Sequence, residues 1–149
     1  MAPMHQAWEY QACGTRIKNF ALDFQSEGCN FMDLHSWVDE YVWWDLLRQQ
    51  VNFDSMLFYF EFCRVIGAAP TPHAKEILSD LSDRLFSALD KMYKVVMAKN
   101  FYATCDEFQK VGEILEEVIE FMIANLKYHN SEEDEDEDED AARVSSRST

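Results

Sequence analysis

A stripe of apolar residues, spaced alternately four and three residues apart, is the feature that most constrains the fold of this chain. The stripe follows residues 68–72, in which Thr71 suits the N-cap of a helix and Pro72 suits its first position. Its members are Ala74, Leu78, Leu81, Leu85, Ala88, Met92 and Val95. Charged residues occupy the opposite side, namely Lys75, Glu76, Asp80, Asp83 and Lys91. The pattern predicts an amphipathic helix that packs against other helices and ends near residues 99–100, where Asn100 suits a left-handed turn.

Two other segments show the same helical spacing. In the first, about residues 8–25, the apolar side consists of Ala12, Cys13, Ile17, Phe20, Ala21 and Phe24. We expect Gly28 to be the left-handed residue that follows this helix. In the last, about residues 102–128, the inward residues are Cys105, Phe108, Val111, Leu115, Val118, Met122 and Leu126, and the solvated ones are Glu113, Glu116, Glu117 and Glu120. Since no segment has a strand pattern, residues 1–130 are predicted to form one all-α domain, an antiparallel four-helix bundle.

The second helix is predicted over residues 33–66 and is the most aromatic. Its first half has apolar residues at the three-and-four spacing of one helix face, namely Leu34, Trp37, Val38, Tyr41, Trp44 and Leu47. Asp45 and Arg48 lie three residues apart and can form an ion pair. A bend is expected at residues 52–55, with Asp54 as the cap of a second segment, and Gly67 is expected to end the helix.

Between residues 56 and 63 only Glu61 is charged and marks a solvated side, and a helix that is apolar nearly all round must be covered on more than one side. One interpretation is the central helix of the bundle and nothing more. The other adds a second buried surface that faces another protein. In that interpretation the core face is formed by Val51, Asp54, Ser55, Phe58, Phe62 and Val65. Trp43, Tyr59 and Phe60 are then the candidate protein-interface residues.

The charge of the chain argues against nucleic acid as a partner. The formal net charge is −15, and residues 131–149 contain nine of the 28 acids and two of the 13 bases. Residues 1–130 therefore keep a net charge of −8, without the clustered Lys and Arg that phosphate binding needs. Nine consecutive carboxylates at residues 132–140 repel one another, so residues 131–149 are predicted to be a disordered acidic tail.

No transmembrane segment is predicted, since no uninterrupted apolar run in the sequence approaches 18 residues. The first residues lack the features of a secretory signal or a transit peptide, as expected of a cytosolic protein or of a processed or truncated form.

No enzymatic chemistry is predicted. No histidine follows a glutamate by three residues, which excludes the di-iron pattern of helix bundles, and no two histidines have metal-ligand spacing. The four cysteines have no C-x-x-C pair, and none has the flanking residues of a known nucleophile. We therefore predict no catalytic residue, no metal site and no cofactor. A thiol-based enzyme is the least favoured alternative, because it would need a cysteine with a strongly lowered pKa.

The first helix contains Arg16, Ile17, Lys18 and Phe20, and the start of the second contains Trp37, Tyr41, Val42, Asp45, Leu46 and Arg48. Together with the two segments described next, these residues resemble the PsbQ family of chloroplast lumen proteins over residues 16–126. Residues 57–66, LFYFEFCRVI, are similar to the aromatic, then acidic, then Val-Ile end of the family's long helix. Residues 78–90 are similar to its Leu/Phe/Asp run. The order and spacing of these segments together make the resemblance.

The resemblance implies a non-catalytic subunit that is peripheral to the thylakoid membrane on its lumen side. Its implied partners are protein subunits of a membrane complex. The segment at residues 58–62 resembles PsbQ-like subunits of the chloroplast NAD(P)H dehydrogenase-like complex, and the alternative is the extrinsic subunit of the photosystem II oxygen-evolving complex. A hypothesis from another class is a soluble acidic protein that binds basic partners through its tail.

Overall fold

The chain forms an antiparallel four-helix bundle, as the apolar spacing predicted. The computed structural model describes residues 4–134, and side chains within residues 6–126. In this part of the chain the elements are α1 (Met4–Leu34), α2 (Glu40–Gly67), α3 (Pro72–Met97) and α4 (Phe101–Asp134). Helices that follow one another in the chain pack together, and α4 closes the bundle on α1. The predicted tail of residues 131–149 begins inside α4, and residues 135–149 lie outside the described residues.

The first helix is longer than its sequence pattern predicted. α1 has 31 residues and runs through Gly28, which has no positive φ. A Cβ atom at position 28 would overlap the ring of Phe108 on α4. The absence of a side chain at Gly28 therefore allows α1 and α4 to approach closely. The prediction that Gly28 follows the end of this helix is wrong.

The second helix begins later than predicted, because a connection of five residues precedes it. Asp39 is the N-cap of α2, and its carboxylate accepts hydrogen bonds from the backbone N–H groups of Tyr41 (2.9 Å) and Val42 (3.2 Å). Trp37 lies in the connection and is 82% exposed. The expectation of one apolar face running from residue 34 to residue 47 is therefore wrong in its first half.

The predicted bend in the second helix is absent. α2 is continuous through residues 52–55 and ends at Gly67, as predicted. Asp54 caps nothing: it is half-buried and accepts hydrogen bonds from Nε2 of Gln50 one turn earlier (3.0 and 3.1 Å). The cap signal was misleading because Asp is used equally as a side-chain acceptor within a helix.

The start of α3 matches its local signals. Thr71 is the N-cap, its hydroxyl accepts a hydrogen bond from the backbone N–H of Ala74 (3.0 Å), and Pro72 opens the helix. At the other end Lys99, with a φ of 55°, takes the left-handed conformation that was expected of Asn100. Asn100 instead caps α4, accepting a hydrogen bond from the N–H of Ala103 (3.0 Å).

The core is built from one apolar stripe of each helix. The stripe of α3 is buried as predicted from Ala74 to Met92, and Val96 takes the final place that was assigned to Val95. Of the residues predicted to face inward on α4, Val111, Leu115, Val118, Met122 and Leu126 are buried, while Cys105 and Phe108 are half-buried. The four glutamates of α4 are exposed as predicted.

Candidate docking surface

Trp43 was predicted to lie on an outer surface, and the structure places it in the core. Its side chain is 1% exposed, and its Nε1–H donates a hydrogen bond to the backbone oxygen of Phe31 (2.7 Å). Its ring packs against those of His35 and Phe101, with centroids 4.6 and 5.9 Å away. Position 43 lies eight residues, or roughly 80° around the helix, from Val51 at the centre of the core face. The connection before α2 and the start of α4 cover this flank, so the prediction is wrong.

Tyr59 and Phe60 do point away from the core. Their side chains are 57% and 59% exposed, and their rings meet edge to face with centroids 6.1 Å apart. Tyr59 also makes an edge-to-face contact with Phe86 of α3 at 6.0 Å. Their role as interface residues stays a prediction.

The structure adds to these two aromatics a set of exposed apolar residues that our sequence reasoning missed. We call this surface the outer face of α2, and it consists of Val42, Leu46, Phe53, Met56, Tyr59 and Phe60, each 48–59% exposed. The core face of α2 is on the other side and buries Val51, Phe58, Phe62 and Val65, as predicted. The missed residues could have been found as the apolar positions that remain once one core stripe has been assigned to the helix.

Glu61, which was expected to mark a solvated side, instead joins α2 to α1. Its carboxylate lies 3.1 Å from Nε of Arg16 and its side chain is only 12% exposed. Arg64 approaches the same carboxylate at 3.9 Å. The one charged residue of residues 56–63 therefore pairs with α1, and the outer side of this segment has no charged residue.

A narrow acidic groove runs beside the outer face, between α1 and α2. A cavity of about 150 Å³ is lined there by Asp23, Glu27, Gln50 and Asp54, together with Phe53 and its neighbours. Burial, reinforced by the charges of Glu27 and Asp23, raises the pKa of Asp54 to about 6, although the hydrogen bond from Gln50 acts in the opposite direction. The groove thus concentrates negative charge along one edge of an apolar surface.

A second group of exposed aromatic residues lies at the end of the bundle where α2 and α4 begin. Trp37, Tyr41 and Tyr102 are 77–82% exposed, and Nζ of Lys99 lies 5.3 Å from the centre of the Tyr41 ring. An open groove of about 450 Å³ between α2 and α3 is lined by Tyr41, together with Val42 and Leu46 of the outer face. The exposed apolar surface therefore continues from the outer face of α2 to this end.

The described residues contain no group of three or more His, Cys, Asp or Glu side chains placed to hold a metal ion. Burial raises the pKa of Cys13, with Glu61 adding to the effect, and burial and Asp106 raise the pKa of Cys105. These thiols are therefore weaker nucleophiles than free cysteine at neutral pH. None of the helices within residues 4–134 combines the length and apolar character that crossing a bilayer requires.

The chain matches no protein-family model and no curated protein. Over the residues that the structure describes, the fold and the exposed surface define a four-helix bundle whose second helix has apolar residues on both its inner and its outer face.

Proposed function

We propose that this protein is a non-catalytic structural subunit that docks, from the lumen side, to protein subunits of a thylakoid membrane complex. The outer face of α2 carries this proposal. Six apolar side chains of one helix are each about half exposed, whereas apolar residues scattered singly are the usual case at a surface. Aromatic side chains such as Tyr59 and Phe60 are the type that most often anchors a protein interface.

The chloroplast NAD(P)H dehydrogenase-like complex is the favoured partner within this proposal, and photosystem II is the alternative. The resemblance of residues 58–62 to PsbQ-like subunits supports this choice, and the packing gives each side chain named below a role. Phe58 and Phe62 fill the core, and Glu61 pairs with Arg16, another residue of the resemblance. Tyr59 and Phe60 are left for a partner.

A binding experiment with thylakoid membranes tests the proposal. The full chain is added to membranes that have been opened and stripped of their lumenal extrinsic proteins, and the retained fraction is measured after washing. A native gel then shows whether the chain migrates with the dehydrogenase-like complex or with photosystem II. Vesicles made from the extracted lipids distinguish protein partners from lipid.

The double variant Tyr59→Ala/Phe60→Ala should lose retention while keeping the helical content of the parent chain. Ile123→Ala is the matched control, since Ile123 is 48% exposed on α4. Equal retention of all three chains would contradict docking through the outer face of α2.

A soluble acidic binding protein is the second candidate, and the nine consecutive carboxylates at residues 132–140 favour it. Deletion of residues 135–149 removes six of these nine carboxylates, leaves α4 at its full length and separates the two functions. A docking subunit should keep its retention on the membranes after the deletion. Loss of retention in the deleted chain, together with normal retention of the Tyr59/Phe60 variant, would favour binding through the acidic tail instead.

A further inference from the structure

The exposed positions of α2 have the spacing of a helix that packs lengthwise against another helix. Seven exposed residues are separated alternately by four and three positions: Val42, Leu46, Gln49, Phe53, Met56, Phe60 and Cys63. We call these seven residues the α2 seam. It extends for roughly 32 Å along the helix. Apolar stripes with this spacing are covered by a second helix that crosses at a shallow angle.

The seam lies directly opposite the contact that α2 makes with its own bundle. Trp44, Val51, Phe58 and Val65 are buried and recur every seven residues, midway around the helix from the seam. A helix laid on the seam therefore meets no other element of this chain head-on. α1 and α3 pack against α2 on either side of its core face.

The charges beside the seam are negative on the α1 side. Asp23, Glu27 and Asp54 line the groove that adjoins Phe53, and burial of Asp54 together with the charges of its two neighbours raises its pKa to about 6. On the α3 side Asp45 is already held by Nη2 of Arg48 at 2.9 Å. Unbalanced negative charge therefore concentrates on the α1 side, where a cationic side chain of a partner would be stabilised.

A second copy of this chain fits the seam less well than a single helix does. The five aliphatic, methionine and phenylalanine side chains of the seam, about half exposed, offer on the order of 500 Å² per chain, short of the roughly 800 Å² per partner of a stable interface. Residues 1–130 also carry a net charge of −8, so two copies would bring like charges together.

We propose that the α2 seam binds a basic amphipathic helix of the partner, with apolar residues at the same four-three spacing and with Lys or Arg along the edge that faces Glu27 and Asp54. This inference rests on the proposed docking function and specifies the chemistry of its partner. The apolar residues of that helix cover Phe53, Met56 and Phe60, and its cationic edge enters the groove beside α1.

A synthetic peptide provides the probe. It is a fluorescein-labelled helix of about three heptads, with Leu at the four-three positions and Lys on both flanks. Two matched peptides have Glu in place of Lys, or the same composition in an order that destroys the spacing. Fluorescence anisotropy with the full chain should give a dissociation constant for the Lys peptide that is at least tenfold lower than for either control peptide.

Two sets of variants locate the bound peptide. Phe53→Gln/Phe60→Gln should weaken binding of the Lys peptide at least tenfold, and the matched control Ile123→Gln should leave it unchanged. Glu27→Gln/Asp54→Asn should weaken the Lys peptide several-fold, yet should not weaken a peptide whose flanks carry Gln.

Several outcomes would overturn the inference. Equal binding of the ordered and reordered peptides would contradict a helical partner. Undiminished binding of the Lys peptide by Glu27→Gln/Asp54→Asn would contradict the basic edge of that partner. A parent chain that sediments as a dimer, and that Phe53→Gln/Phe60→Gln converts to a monomer, would assign the seam to a second copy. If Phe53→Gln/Phe60→Gln is retained normally on thylakoid membranes, the seam is not the docking site, but the proposed docking function is unaffected. If the parent chain is not retained, the proposed docking function itself is refuted.

Discussion

Trp43→Ala should be among the most destabilising single substitutions in this protein. The side chain is 1% exposed and contacts the rings of Phe31, His35 and Phe101, so its removal leaves a large cavity between α1, α2 and α4. Large-to-small changes of a buried aromatic residue cost about 3–5 kcal/mol. The substitution also removes the 2.7 Å hydrogen bond to Phe31 in the last turn of α1, which adds about 1 kcal/mol. We therefore expect the free energy of unfolding to fall by about 4–6 kcal/mol.

The measurement is urea unfolding followed by helical circular dichroism, because fluorescence would change with the loss of a tryptophan. Trp37→Ala is the matched control: this side chain is 82% exposed, and its removal should change stability by no more than about 0.5 kcal/mol. Trp43→Phe keeps a ring but loses the hydrogen bond, so it should cost less than the alanine variant. A loss below about 1 kcal/mol in Trp43→Ala, or equal losses at the two tryptophans, would refute the placement of Trp43 in the core.

The remaining predictions concern the core, one buried carboxylate and one glycine. Leu81→Ala and Leu115→Ala should each lower the free energy of unfolding by about 2–5 kcal/mol, because both side chains are at most 4% exposed in mid-helix. Asp54→Asn should stabilise the chain at pH 7 by about 1–2 kcal/mol, a value reduced from about 3 kcal/mol for two pKa units because water reaches part of the carboxylate. In the folded parent chain the pKa of Asp54 is about 6, above its ordinary value of 3.8. The free energy of unfolding of the parent chain should therefore fall as the pH rises from about 4 to about 7, and the stability advantage of the Asn variant should grow over the same range. Gly28→Ala should destabilise by about 1–3 kcal/mol, despite the higher helix propensity of Ala, because the new methyl group overlaps the ring of Phe108.

Chemical unfolding at several pH values checks all of these. Losses under about 0.5 kcal/mol at both leucines, the scale of surface changes, would mean that the helix phases are wrong. A difference between Asp54→Asn and the parent that stays constant from pH 4 to pH 7 would contradict the raised pKa. A Gly28→Ala variant as stable as the parent would show that the ring of Phe108 can move aside at no net cost.

How far the fold could be read from the residues depended on whether the signal was local. Thr71 and Pro72 act on the turn that they begin, and the start of α3 was predicted correctly. Gly28 carries an equally strong signal for a helix end, but its role depends on Phe108, which is 80 residues away in the chain. Spacing alone cannot distinguish a glycine that ends a helix from one that lets two helices approach.

The candidate docking surface likewise contains residues whose exposure follows from the geometry of α2 alone, and one residue, Trp43, whose burial depends on other elements. Tyr59 and Phe60 were placed outside because six positions of α2, from Val51 to Val65, fit one core face, and helix geometry then directs the side chains of residues 59 and 60 away from it. Trp43 lies at the edge of that face, where burial is decided by other elements. The start of α4 and the connection after α1 meet over it, and this contact is absent from the periodicity of α2.

The sequence by itself determined four helices, their order and the inward stripes of α3 and α4, because these follow from periodicity and from capping residues within each helix. Only the tertiary structure decided which apolar residues of α2 remain uncovered, that Glu61 is held by Arg16, and that Asp23, Glu27 and Asp54 share one groove. The physical reason is that burial and electrostatic potential depend on distances between helices. An apolar pattern states that a side chain favours burial, whereas the neighbours in space determine whether the chain itself provides it.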